Sequence, residues 1–355
     1  MNVRRSLVVA ALLAAACLVA LAAALAAAPQ AAAAPAAPPQ ISVPPATIDY
    51  ATGTVTVAVD YPAGTASVVL TAGAPAAAGQ PLQTIDIADP TTAATCTSNS
   101  VALKAATTFT AQGFAAADGT GQPAWGPVSV TIAPADLRPT APSLGLPGGS
   151  LIETRFSLAA TTGRPATRYV IHAAGFGNSL LKGVCTTAAG GRVVLASLRL
   201  PYGPETVRLW LANAFGSSPA SPRLTLFDLG PRSRLPKVAR FVLVDKRSMS
   251  LYDIFHYRVL RHYPVAIGTP QTPTPNGLFK LGKAQPASGP WGPMRRPLYR
   301  FKGSRLWASG FFIHGTDAPW SIGTMASHGC VRMFDSDIRL VTRYVPVGVL
   351  VQIRP

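Results

Sequence analysis

Acidic side chains are scarce in this chain. Only 14 of its 355 residues are Asp or Glu, against 31 Lys and Arg, for a formal charge of +17. Such an excess suits anionic polymers, lipid headgroups or carboxylate-rich peptides. Nucleic acid is the rival partner, but no recognition-helix, RNP-like or zinc-finger pattern is present, and an export-type N-terminus argues against it, so no nucleic acid is expected. Cysteine is scarce too, at Cys17, Cys96, Cys185 and Cys330. With Cys17 inside the N-terminal apolar run, three remain, which excludes a fully paired disulfide framework. A bridge between Cys96 and Cys185 would have to cross two repeated segments, so both are read as free thiols. No CxxC or HxxxH arrangement supports a metal site, and none is expected.

Arg4-Arg5 followed by an apolar run from Leu7 to Ala28 has the layout of a secretory signal peptide over 1–28, with Ala24-Leu25-Ala26 as a cleavage candidate. An uncleaved anchor is the alternative, and either outcome places the rest in the periplasm or cell wall, touching membrane only through this segment. Residues 29–40, rich in Pro and Ala, read as a semi-rigid linker. Charge then rises along the chain. Segment 40–136 has one Lys and six acidic residues, 137–233 has ten basic and three acidic, and 234–355 has eighteen basic and five acidic.

Short β-type runs separated by Gly, Pro and Asp turns predict all-β sandwiches. Such runs are Thr54–Val59, Ala66–Leu70, Thr107–Ala111 and Val128–Ile132, then Thr154–Leu158, Arg168–Ile171, Thr206–Leu211 and Arg223–Leu226. The stretch from Thr206 to Pro219 resembles the penultimate strand and turn of fibronectin type III modules. Two tandem immunoglobulin/fibronectin III-like sandwiches are expected, over 41–134 and 138–230, with a single larger β domain as the alternative. Rigid spacing is the expected role, with glycan or protein binding as the other.

The last third carries the chemistry. Ser327-His328-Gly329-Cys330-Val331-Arg332 follows His314 by thirteen residues or more. Cysteine needs a nearby imidazole to lose its proton, and glycine beside it relieves a turn that aims backbone N–H groups at an oxyanion. Strands are expected over Val238–Asp245, Leu251–Phe255, Val259–Ile267 and Leu306–His314, and again from Val347 to Ile353. A short helix capped by Asp335 or Ser336 would bury Ile338, Val341 and Val345. His256 and His262, lacking partners at useful spacing, read as surface residues.

Phe312-Ile313-His314-Gly315-Thr316, the Ser327–Arg332 run and Thr272-Pro273-Thr274-Pro275-Asn276-Gly277-Leu278-Phe279 together resemble the L,D-transpeptidase (YkuD-type) catalytic domain, over 236–355. The resemblance implies a β-rich domain with a short helix and no cofactor. It makes Cys330 the nucleophile and His314 the proton shuttle, oriented by the Gly315 carbonyl or a nearby side chain. Ser327 and His328 would shape the loop, and Gly329 and Cys330 would supply oxyanion N–H groups, with His328 as the alternative base. Arg332, Gly315 and Trp320 would meet substrate, with Tyr299 a further lining candidate. Arg332 stands where some members have asparagine, and Met325-Ala326 where many have proline. The activity implied is peptidoglycan L,D-transpeptidation on stem peptides, a tetrapeptide donor and an amine acceptor, with anionic wall polymers as further partners. L,D-carboxypeptidase action and a non-catalytic wall-binding protein are the alternatives.

Overall fold

The computed structural model describes residues 37–75, 79–175 and 178–355. The expected export segment lies outside them. Among the described residues no helix is long and apolar enough to cross a membrane. The described chain is mainly β, with one α-helix. It divides into two compact units, the first drawn mainly from 55–101 and 105–132, the second mainly from 133–355.

The first unit contains two antiparallel sheets. One joins Gln40–Ser42, Ala58–Tyr61 and Ala94–Thr97. The other orders Pro123–Ile132, Thr107–Phe114, Ser67–Gly73 and Gln80–Asp86. Alternation buries Phe109 and Ala111 on one strand and Val68 and Leu70 on its neighbour. Trp125 is buried because its Nε1–H finds Thr65 Oγ1 at 3.0 Å.

The second unit begins with a β-sandwich. Gly203–Asn213 alternates strictly, with Val207, Leu209 and Leu211 buried and Thr206, Arg208 and Trp210 half-buried on the other face. Its inward side chains share one core with Leu158, Val193 and Leu195 of the facing sheet. Cys96, Cys185 and Cys330 are free thiols.

The C-terminal part is built on one long mixed sheet. Its strands are β1 (Arg240–Asp245), β2 (Ser250–Phe255), β3 (Arg258–Pro264), β4 (Gly277–Leu281), β5 (Met294–Lys302), β6 (Arg305–His314), β7 (Val331–Arg332) and β8 (Leu350–Arg354). They lie in the order β3-β2-β1-β8-β4-β5-β6-β7. Helix α1 (Asp335–Tyr344) covers one face. Ile338, Val341 and Val345 pack there with Val242, Val244, Phe279, Leu298, Ile313, Val331, Val351 and Ile353. Alternation sends Phe241, Leu243, Tyr252 and Ile254 to the opposite face, where they form a core with Leu151, Phe227 and Leu229 of the sandwich. Backbone bonds join the same seam: Val259 N–H to Gly149 O at 2.8 Å and Leu151 N–H to Tyr257 O at 3.2 Å. The sandwich and the long sheet therefore share buried apolar area.

Two expectations are corrected. Neither Asp335 nor Ser336 caps α1. Phe334 occupies the cap position without a side-chain bond, and Asp335 reaches elsewhere. Strand β5, absent from the pattern reading, enters the core through Leu298 and Arg296. Arg296 is 1% exposed, and its guanidinium donates to the carbonyls of Gly282, Val341, Val345 and Pro346 at 2.6–3.3 Å. It satisfies the orphan carbonyls at the C-terminal end of α1 and carries the charge sign that the helix dipole favours there.

Candidate active site

His314 ends β6, and Cys330 immediately precedes β7, the neighbouring strand. The two strands are parallel, with Ile313 opposite Val331 and His314 opposite Arg332. Ile313 and Val331 are both fully buried on the α1 side. Period-two alternation therefore puts Phe312, His314, Cys330 and Arg332 on the other face, the histidine and cysteine one diagonal step apart. The Phe312 N–H lies near enough to the Cys330 thiol to favour its ionised form.

His314 is 3% exposed, and its Nδ1 lies 2.5 Å from Gly315 O. A carbonyl only accepts, so Nδ1 carries the proton and Nε2 holds the free lone pair. The turn that supplies this carbonyl is fixed from α1. Asp335 Oδ1 accepts the Thr316 N–H at 2.9 Å. A Cβ on Gly315 would lie 2.4 Å from that oxygen, and one on Gly292 2.3 Å from it. Both positions must be glycine for the carboxylate to reach the turn.

The charges around the pair are cationic. Burial is the main force holding the His314 imidazole down at about 4, helped by Arg332 and Arg295 and opposed by its bond to Gly315. Burial also raises the Cys330 thiol, while the Phe312 N–H and Arg332 pull it the other way. The resting pair at neutral pH is thus thiol and neutral imidazole. Arg295 is paired directly with His314 across β5 and β6. Its guanidinium lies 5.6 Å from the centre of the Trp291 ring and 5.1 Å from that of Phe312, and its Nε donates to Gln285 Oε1 at 3.0 Å. The Trp291 ring is 4.7 Å from the His314 ring. Arg332 Nε is buried without a hydrogen-bond partner among the described residues.

The cysteine loop is held on its other side. Ser327 is 1% exposed; its Oγ donates to Cys330 O at 2.6 Å and accepts the Gly329 N–H at 3.1 Å. That last bond corrects the expectation for Gly329, whose N–H is already used within the loop and is not aimed at an oxyanion. Gly329 is needed for its φ of 107° and because a Cβ there would lie 2.5 Å from the Phe311 ring. The Thr272–Thr274 segment ties the loop down. Thr269 N–H and Thr272 Oγ1 both donate to Ser327 O, at 3.0 and 3.1 Å, and Thr274 Oγ1 accepts the Gly268 N–H at 2.7 Å.

The other sequence candidates fall differently. His328 is exposed, and Trp320 is 80% exposed. Tyr299 packs on Gly282, where a Cβ would lie 2.6 Å from its ring. Gly315 contributes its carbonyl. Sequence reading missed the part that Trp291, Arg295 and Asp335 play here, and none of the three carried a local signal for it. Among the described residues no group of three His, Cys, Asp or Glu side chains is placed to hold a metal ion.

Comparison with known proteins agrees on this segment. The YkuD family profile, described as the L,D-transpeptidase catalytic domain, matches residues 239–353. The putative L,D-transpeptidase YkuD of Bacillus licheniformis is 35% identical over 115 residues, covering 32% of this chain and 64% of that protein. The probable L,D-transpeptidase ErfK/SrfK of Escherichia coli is 43% identical over 86 residues, covering 23% of this chain and 26% of that one. The chain thus spans less than two thirds of the length of these relatives. A solved L,D-transpeptidase from Mycobacterium smegmatis aligns with 61% of this chain and 99% of its own, at 14% identity and a TM-score of 0.27. Residues 239–353 are an L,D-transpeptidase catalytic domain of the YkuD family.

Proposed function

We propose that the protein is a peptidoglycan L,D-transpeptidase working through a cysteinyl thioester, outside the cytoplasm. The observation that carries this reading is the oriented imidazole: His314 Nδ1–H on Gly315 O, with the thiol on the same face of the sheet. Cys330 gives its proton to His314 Nε2 as sulfur attacks the carbonyl of the third stem residue. The imidazolium then protonates the departing amine of the terminal D-alanine as the C–N bond breaks, leaving a thioester. An amine of a second stem peptide, or of a protein to be anchored, attacks that thioester and the thiol is restored. The Cys330 N–H is the oxyanion donor in this scheme, and such a donor is typically worth ~3 kcal/mol of barrier.

Arg332 and Arg295 complement a donor carboxylate. A buried Nε and two cations that have no partner and no ion pair, respectively, among the described residues favour an anionic substrate group beside the imidazole. Binding of that carboxylate would offset the two charges that depress His314 and so make it a stronger base within the complex. The sandwiches preceding this domain fit immunoglobulin/fibronectin III-like spacers.

The test is incubation of the purified protein with disaccharide-tetrapeptide, followed by mass spectrometry of the products. Cross-linked dimers support transfer, and tripeptide alone makes the protein an L,D-carboxypeptidase. If Cys330→Ala gives the same products as the unaltered protein, the thioester scheme is wrong.

A further inference from the structure

We propose that the seam between the second sandwich and the long sheet holds a second binding site, for an anionic polyhydroxylated group such as a unit of a charged glycan or polyol polymer. A cavity of about 480 Å³ opens there, lined by Tyr202, Leu229, Arg234, Arg247, Gln352 and Arg354 among others. That volume is in the range of a small-ligand site, and such sites favour domain seams.

The lining is chemically selective. Arg354 is the balanced cation, its Nε donating to Asp245 Oδ2 at 3.0 Å. Asp245 is saturated: it also accepts from the Tyr202 hydroxyl and from the N–H and Oγ of Ser248. Arg247 is different. Its guanidinium lies over the Tyr202 ring at 4.3 Å, and no carboxylate among the described residues comes within 4 Å of its nitrogens. Asp228, which is buried and accepts the Gly230 N–H, feels the Arg247 and Arg354 charges from beyond that distance. Arg234 also has no ion pair among the described residues. Two guanidiniums without a carboxylate partner at the mouth of a concave site call for an oxyanion.

Gln352 adds the second half of the specificity. Its Nε2 donates to Arg234 O at 3.0 Å, which fixes the amide because a carbonyl only accepts. Its Oε1 is then buried with no partner among the described residues. A buried lone acceptor is costly unless filled. Gln352 lines the cavity, so a turn of its amide on binding would offer this oxygen a hydroxyl beside the anionic group, a donor that an inorganic anion with no hydrogen lacks. The required ligand carries both an oxyanion and a hydroxyl donor.

Gln352 and Arg354 lie on β8, which β4 and β5 separate from β6. Three strand steps place the seam roughly 15 Å across the sheet from the strand of His314. Gln352 and Arg354 alternate with the core-facing Val351 and Ile353, so they share the face from which His314 and Cys330 project. A polymer unit held at the seam would keep a wall strand close to the catalytic edge. That role rests on the transpeptidase reading, whereas the binding itself does not.

The experiment is calorimetric titration of full-length Cys330→Ala protein at low salt with glycerol 3-phosphate, glucuronic acid, glucose and inorganic sulfate. Saturable binding of both organic anions is expected, with glucose at least tenfold weaker. Tighter binding of glycerol 3-phosphate would assign the site to a phosphorylated polyol polymer, and tighter glucuronate to a carboxylated glycan. Arg247→Gln should weaken both about tenfold or more. Gln352→Met should weaken glycerol 3-phosphate and glucuronate several-fold while leaving sulfate unchanged. No saturable binding of either organic anion at millimolar concentration overturns the proposal, as does full binding by the Arg247→Gln, Arg234→Gln double variant.

Discussion

Asp335 offers the sharpest test of how the proposed base, His314, is held. Its carboxylate touches neither the thiol nor the imidazole in this structure; it acts by accepting the Thr316 N–H at 2.9 Å and so pinning the turn whose carbonyl orients His314. A hydrogen bond to a charged group contributes about 1.5–3 kcal/mol. If all of that loss appears in the transition state, Asp335→Ala slows acylation roughly 10- to 150-fold. Asp335→Asn keeps the acceptor oxygen and should remain within about threefold. Removing an acid from the first turn of α1 also costs about 0.3–1 kcal/mol through the helix dipole, and Asp337→Ala controls for this because it lies in the same turn. The assay is stopped-flow acylation by a penem-type β-lactam, with intact-mass confirmation of the adduct, over a range of drug concentrations. The expected defect lies in the limiting rate and not in the half-saturating concentration. Wild-type acylation by Asp335→Ala, or an equal defect in Asp337→Ala, would refute the positioning argument.

The remaining expectations concern protonation, packing and loop geometry. His314 acts as a base only when neutral, and burial holds it near 4, so acylation of the free enzyme should be flat from about pH 5 to 7 and fall as pH drops through about 4; a midpoint near 6.5 would show that the ring is not desolvated as described. Arg296→Met takes the guanidinium donor from the carbonyls of Gly282, Val345 and Pro346, while Val341 O keeps the Val345 N–H, and should cost about 1–3 kcal/mol or more, visible as a lower melting temperature, and an unchanged melt would remove its capping role. Gly268→Ala would put a Cβ 2.1 Å from Thr272 O and 2.6 Å from Thr274 N, so the threonine ties to Ser327 should release; faster limited proteolysis within 269–275 and at least tenfold slower acylation are expected.

What the sequence made legible follows from local periodicity. The alternation in Gly203–Asn213 and the 3.6-residue spacing of Ile338, Val341 and Val345 are each set by one face meeting one core. The strand ending at His314 and the tight loop before Cys330 were legible for the same reason, since each chemical residue sits at the edge of an apolar run. Strand β5 was not, because Arg295-Arg296-Pro297 breaks any apolar alternation. Its buried cation is acceptable only where four carbonyls from distant segments converge, and no local pattern encodes that. Asp335 was misread as a cap because a carboxylate at a helix start is ordinarily satisfied by its own helix; here a turn nineteen residues earlier competes and wins. The Gly329 N–H was misassigned because Ser327 returns to claim it, a contact that depends on the loop's three-dimensional closure.

The adjacent pair Arg295 and Arg296 gives β5 a built-in check on its own alignment. The first cation faces the imidazole and the second the end of α1, so a slip by one residue would exchange them. Arg295 would then stand in the apolar interior, Arg296 would point outward, and Leu298 would surrender its place to Pro297 or Tyr299. Misaligned chains are thereby penalised at three points at once, in the helix, the core and the reaction centre. A hairpin leading into the proposed catalytic histidine benefits from so steep a penalty, because a near-native but offset strand would otherwise persist as a folded, inert species.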